Sequence, residues 1–145
     1  MNVVSINKGS DNLLEVPKPP VYLNDDAKKH YREMGKILAK NNRLKEMYLP
    51  ALELYAESMA QFQFAVSQIR IKNREKVGSG YIQKFGSGAQ NISPEVTLKK
   101  SAIDDLLKCF KLFGLDPKSD KELKGMVDPG QTNLFEELLK AKKGS

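Results

Sequence analysis

The chain has 145 residues, 40% of them hydrophobic and 29% charged, with a net charge of +6 and a single cysteine. That length holds one ordinary domain and excludes two independent cores, and the composition excludes a chain disordered throughout. Cys109 and His30, the only residues of their types, exclude an internal disulfide and a Cys/His metal cluster.

No apolar run approaches the roughly 20 residues that span a bilayer. The opening stretch Met1–Val16 lacks the apolar centre of a signal peptide, so a cytoplasmic protein without a membrane partner is expected. Residues 1–23 mix Gly, Ser and Asn with the run Val16-Pro17-Lys18-Pro19-Pro20, which predicts a flexible arm without fixed structure of its own. Asn24 is a suitable N-cap for a helix opening on Asp25-Asp26, whose carboxylates favour the positive end of the helix dipole. That helix should reach about Lys40, with Ala27, Tyr31, Met34, Ile37 and Leu38 forming one buried stripe. Its other face carries Lys28, Lys29, Arg32, Lys36 and Lys40, and Arg43 follows the break at Asn41-Asn42. Residues 24–49 hold seven basic side chains against four acidic ones, a concentration that permits a polyanionic partner; the plainer reading is a solvated lysine surface.

Pro50 fits only the first turn of a helix, which places the start of a second long helix near Leu49. Leu52, Tyr55, Met59, Phe62, Val66 and Ile69 then recur at alternating steps of three and four, a heptad-like seam. It reads first as the core of a helical bundle and, in addition, as a contact between subunits. Leu54 and Phe64 lie off the seam, so this helix is apolar on more than one side. After Ile69, residues alternating around Gly78-Ser79-Gly80 predict a small β-hairpin or an extended loop. Arg70, Lys72, Arg74, Lys76 and Lys84 face only Glu75 there and form a second basic patch. Neither Gly-Ser-Gly element is a phosphate-binding loop, since no Lys-Ser or Lys-Thr follows it.

Ser93-Pro94-Glu95 is a helix start, with Val96, Ile103, Leu106, Leu107, Phe110 and Phe113 as the apolar face and Gly114-Leu115 as a Schellman stop. Cys109 beside that face reads as a small buried hydrophobe, because no histidine base is near it in sequence. Asp116-Pro117 begins a short helix to about Lys124, and Asp128-Pro129-Gly130 lies in a linker over 125–130. Leu134, Phe135, Leu138 and Leu139 then supply an amphipathic turn, too short to stand alone, that folds either on a partner or on its own chain. The predicted fold is mainly α: an arm at 1–23, a helical domain at 24–124 with two N-terminal helices, a hairpin or extended loop and C-terminal helices, and a linker with a short helix at 125–145. No acid/base pair, activated nucleophile or metal-ligand spacing is visible, so neither enzyme chemistry nor a cofactor is expected.

The junction Ile92-Ser93-Pro94, opening a helix that closes on Phe113-Gly114-Leu115-Asp116-Pro117-Lys118-Ser119, resembles the small subunits of tailed-phage terminases, siphophage type. The Pro-rich arm, the Leu23-to-Ala27 helix start, the turn and the long second helix extend the likeness over residues 17–124. Tyr31 stands near the family's usual tryptophan, and Asp120 stands where the family usually has arginine. The resemblance implies a non-catalytic protein of the host cytoplasm that assembles as a ring, about eight to ten copies, around a closed symmetry axis. It implies binding of double-stranded viral DNA at the packaging start and delivery of that DNA to the large terminase subunit, which owns the ATPase and nuclease. On the residues above, DNA is expected at Lys28, Lys29, Arg32, Lys36, Lys40 and Arg43 and at Arg70, Lys72, Arg74 and Lys76, and the large subunit at Leu134, Phe135, Leu138 and Leu139. Two other readings use the same residues: a small dimeric DNA-binding regulator, and a scaffold whose basic faces only solubilise it.

Overall fold

A computed structural model of the chain describes residues 11–115. Local signals set the helix limits. The Asn24 side chain accepts a hydrogen bond from the Ala27 amide at 2.8 Å and opens α1 (Asp25–Lys40). The helix stops at Asn41, whose side chain donates back to the Ile37 carbonyl at 2.8 Å, and at Asn42, whose φ of 57° is a conformation asparagine tolerates. A single 3-10 turn (Glu46–Tyr48) leads into α2 (Leu49–Glu75), with Pro50 in its first turn where the missing N–H costs nothing. Ser93 caps α3 (Pro94–Leu112) by accepting from the Val96 amide at 3.4 Å. At its other end Gly114, φ 72°, donates to the Lys111 carbonyl at 3.1 Å and Leu115 donates to the Phe110 carbonyl at 2.8 Å, the paired bonds of a Schellman stop. The mainly helical chain with a small hairpin is therefore what folds.

α2 is central, with α1 on one flank and α3 on another. Leu52, Tyr55, Ala56 and Met59 of α2 share one buried cluster with Ala27, Tyr31, Met34 and Leu38 of α1 and with Leu106, Cys109 and Phe113 of α3. Leu44 and Leu115, both fully buried, complete it. Each such side chain contributes about 1.5–3 kcal/mol relative to exposure. The seam expected along α2 changes direction partway. Leu52, Tyr55, Met59 and Ile69 are buried and Phe62 is half-buried, but Val66 is exposed, and the small Ala65 is buried instead. A straight helix drifts relative to a strict seven-residue repeat, so Ala65 takes the buried side in place of Val66, while Ile69 further on is covered again.

Two expectations are corrected. α2 runs on to Glu75, because Arg70, Lys72, Arg74 and Glu75 are themselves good helix formers. The strand pair accordingly sits later, with β1 (Ile82–Lys84) antiparallel to β2 (Gln90–Ile92) across Gly86-Ser87-Gly88. Gly78-Ser79-Gly80 instead folds the chain back on the end of α2. Ser79 Oγ donates to the Lys72 carbonyl at 2.6 Å, and the Gly80 amide donates to Asn73 Oδ1 at 2.8 Å. A Cβ at Gly80 would stand 2.4 Å from the Ile69 carbonyl oxygen, so only glycine allows this approach.

The arm is the second correction. Residues 1–10 lie outside the described residues, and the rest of the arm is anchored at points along its length: Leu13 is buried and its amide donates to the Leu44 carbonyl at 2.6 Å, and Leu23 is buried in the core cluster, while Val21 and Tyr22 are exposed. Val16 seats on Gly35, where an added Cβ would meet its Cγ1 at 2.6 Å. The expected helix from Asp116 to Lys124, the linker at 125–130 and the Leu134, Phe135, Leu138 and Leu139 group lie outside the described residues.

Glycine inside a helix ordinarily costs about 0.5–1 kcal/mol against alanine. Gly35→Ala is expected to lose that gain and to expel Val16, since a β-branched side chain beside Pro17 has few rotamers to retreat into. Limited proteolysis read by mass spectrometry should then cut within residues 11–20 several times faster than in the unsubstituted chain; equal protection with a raised Tm would refute the seating of the arm.

Candidate nucleic-acid interface

The first basic cluster follows from helical spacing. Lys28, Lys29, Arg32, Lys36 and Lys40 recur at steps of one, three and four along α1, opposite the stripe Ala27, Tyr31, Met34 and Leu38 that faces α2. Lys29, Arg32, Lys36 and Lys40 are exposed and Lys28 is half-buried. Between the basic and apolar faces, His30 is buried, with Nε2 2.9 Å from Gln63 Oε1 of α2 and Nδ1 3.9 Å from Glu33. It fixes the roll of α1 on α2, and through that the direction in which the cations point.

Arg43, expected on the same face, is elsewhere. Its side chain is buried and Nη1 donates to the Gly114 carbonyl at 3.1 Å, so it caps the C-terminal end of α3. The carbonyls freed at a helix end carry partial negative charge, and a guanidinium is the cation best shaped to serve them. The connection from α1 to α2 spans residues 41–48, longer than the turn of about three to four residues that defines a helix-turn-helix.

The sequence also gave no hint that a wall would stand beside these cations. Leu14, Glu15, Pro17 and Pro19 of the arm line one side of an open groove of about 570 Å³ whose other side is Arg32, Lys36 and Lys40. The one available signal was Gly35, a helix-weakening residue among strong helix formers, which commonly marks the close approach of another segment.

The second cluster divides in the same way. Arg70, Arg74 and Lys76 are exposed at the end of α2. Lys72 is committed: its Nζ donates to Glu95 Oε1 at 2.6 Å and ties the end of α2 to the first turn of α3. That hydrogen bond is the main reason the Glu95 carboxyl is held below its ordinary value, with its own backbone amide adding to the effect. Lys99, which sequence reasoning left unassigned, shares a groove with Arg70 and Arg74. Cys109 is buried with its sulfur 3.8 Å from the Ala51 carbonyl, and burial pushes its thiol up, away from the thiolate a nucleophile needs. Among the described residues no helix is long and apolar enough to cross a membrane.

Because the folded Glu95 carboxyl is depressed, its contribution to stability is present above the ordinary glutamate value of about 4.3 and is lost as pH falls through the lower folded value. Lys72→Met should lower Tm at pH 7 by an amount that shrinks below about pH 4 and disappears once Glu95 is protonated. Melting curves of both proteins between pH 7 and 3 check this; a difference independent of pH would assign the loss to packing.

A family model described as phage terminase, small subunit, matches residues 27–129. No curated protein and no solved structure matches the chain.

Proposed function

The chain belongs to the phage terminase small-subunit family, which serves the packaging of phage DNA, and we propose that it does so by holding double-stranded viral DNA on the basic face of α1 and passing it to the large terminase subunit. The observation that carries this reading is the face itself: Lys28, Lys29, Arg32, Lys36 and Lys40 turned outward by a helix whose opposite side is anchored in the core. Lys and Arg neutralise backbone phosphates and release counterions, so binding is strong in sum and steep in salt. Arg70, Arg74 and Lys76 extend the positive surface to the end of α2.

Repetition in a ring multiplies weak contacts, because a second subunit engages DNA already held close by the first. α2 offers a surface suited to such assembly. Beside its buried seam it carries a second one at the same spacing: Leu54, Glu57, Gln61, Phe64, Gln68 and Ile71. Leu54 and Phe64 are 60% and 58% exposed, and no lysine or arginine occurs from Glu46 to Ile69 in a chain that holds 24 of them. Aromatic and aliphatic side chains on a face poor in charge are the composition of a protein interface centre. The domain plan that follows is a helical DNA-binding and assembly unit over 24–124, followed by a tethered segment at 125–145 whose Leu134, Phe135, Leu138 and Leu139 engage the large subunit. Catalysis belongs to that partner.

Charge reversal at Lys28, Lys29 and Arg32 together is expected to abolish retardation of duplex DNA at low salt. Single Lys→Gln changes should each reduce the slope of log K against log salt by about 1. Retardation unchanged in the triple variant would refute the α1 assignment. Truncation after Gly130 should leave DNA binding intact and remove stimulation of the large subunit's ATPase; full stimulation by the truncated chain would place the partner contact elsewhere.

A further inference from the structure

We propose that the groove between the end of α2, the turn before β1 and the start of α3 holds a single, unpaired strand of nucleic acid, with phosphates on Arg70, Arg74 and Lys99 and a base against Tyr81. The inference rests on the reading of the chain as a DNA-binding protein and adds a second site with a different strand preference.

The groove is open and encloses about 410 Å³. Three cations border it and no carboxylate lines it. Among the described residues none of the three has an ion-pair or hydrogen-bond partner, whereas Lys72 on the same helix is held by Glu95. Like charges gathered without a counter-charge repel one another, and a polyanion relieves that repulsion.

The floor identifies which polyanion. It is formed by Val66, 40% exposed, by Ile69, and by Tyr81, 57% exposed. A duplex offers phosphates but keeps its base faces stacked inside, so an apolar floor gains nothing from it. An unpaired strand presents phosphates and base faces together, and a stacked base on an aromatic ring tolerates any sequence. Two of the three cations are arginines, whose planar guanidinium grips phosphate with two hydrogen bonds and also stacks on bases. Asn73 adds donors: its Oδ1 is occupied by the Gly80 amide at 2.8 Å, which leaves the side-chain N–H pair to a phosphate or a base edge. Carboxylates of an acidic peptide would satisfy the cations, but an aromatic side chain meets the ring only where the peptide happens to supply one, whereas a nucleic-acid strand carries a base with every phosphate.

The test is fluorescence anisotropy of the full chain with a labelled oligodeoxythymidine of about 15 nucleotides and with a blunt duplex of equal length. Tyr81→Ala should weaken binding of the oligodeoxythymidine about tenfold and change duplex binding less than about twofold, while Tyr81→Phe retains both. Lys99→Gln should lower the single-strand salt slope by about 0.7. The triple reversal at Lys28, Lys29 and Arg32 should do the opposite of Tyr81→Ala, losing the duplex and keeping the single strand, so the two sites stand or fall separately. The proposal is overturned if Tyr81→Ala leaves oligodeoxythymidine binding unchanged, or lowers both ligands equally. It is overturned too if the oligodeoxythymidine does not bind, or if an oligoglutamate peptide of about 15 residues binds as tightly and is weakened as much by Tyr81→Ala.

Discussion

Tyr55 sets its ring 5.9 Å from that of Phe110 and 6.2 Å from that of Phe113, the latter edge-on, while lying in the same buried cluster as Met34 and Leu38 of α1. One side chain of the middle helix thereby ties the two outer helices to a common frame. Aromatic pairs of this kind add about 0.5–1.5 kcal/mol beyond the area they bury. Their larger effect is orientation, because α1 and α3 are positioned through α2. Burial also pushes the Tyr55 hydroxyl far above its ordinary value, so this ring is neutral at physiological pH.

With that frame fixed, position relative to the helix ends decides what each cation does. Arg43 and Lys72 stand where a helix terminus leaves carbonyls or a first-turn carboxylate within reach, and both are absorbed into the fold. Lys29, Arg32, Arg70 and Arg74 stand mid-face or at open corners, and they remain available to solvent and to phosphates. A net charge of +6 therefore overstates nothing in sum but misleads in detail: neighbouring basic residues in the sequence serve opposite ends.

The parts of this fold that were legible in the sequence are those written in short-range chemistry. Asn24, Ser93-Pro94 and Gly114-Leu115 specify caps and stops through bonds that span at most five residues, and the helices begin and end there. The parts that were not legible depend on partners far along the chain. Arg43 is drawn to Gly114, 71 residues away, and Val16 to Gly35; no periodicity encodes either contact. Both Gly-Ser-Gly elements suit a turn equally by sequence, and the hairpin turns at the second because Gly80 in the first alone permits contact with the Ile69 carbonyl. At the basic surfaces the residue types pointed to polyanions, but the arm beside Arg32 and the pairing of Lys72 arise only from tertiary packing.

All six strand residues of the hairpin are solvent-exposed, and its root hangs on Ser93, whose buried hydroxyl donates to the Gly80 carbonyl at 2.6 Å and whose amide donates to the Tyr81 carbonyl at 2.9 Å. Structure at the root is thus decoupled from identity at the tip, where a Cβ at Gly86 or Gly88 meets open space within 4 Å. The tip around Ser87 is accordingly a mounting point: a dye, an affinity tag or a tethering cysteine attached there reports on the molecule without entering its core, and amide exchange along the ribbon should run fast while Ser93 itself stays protected.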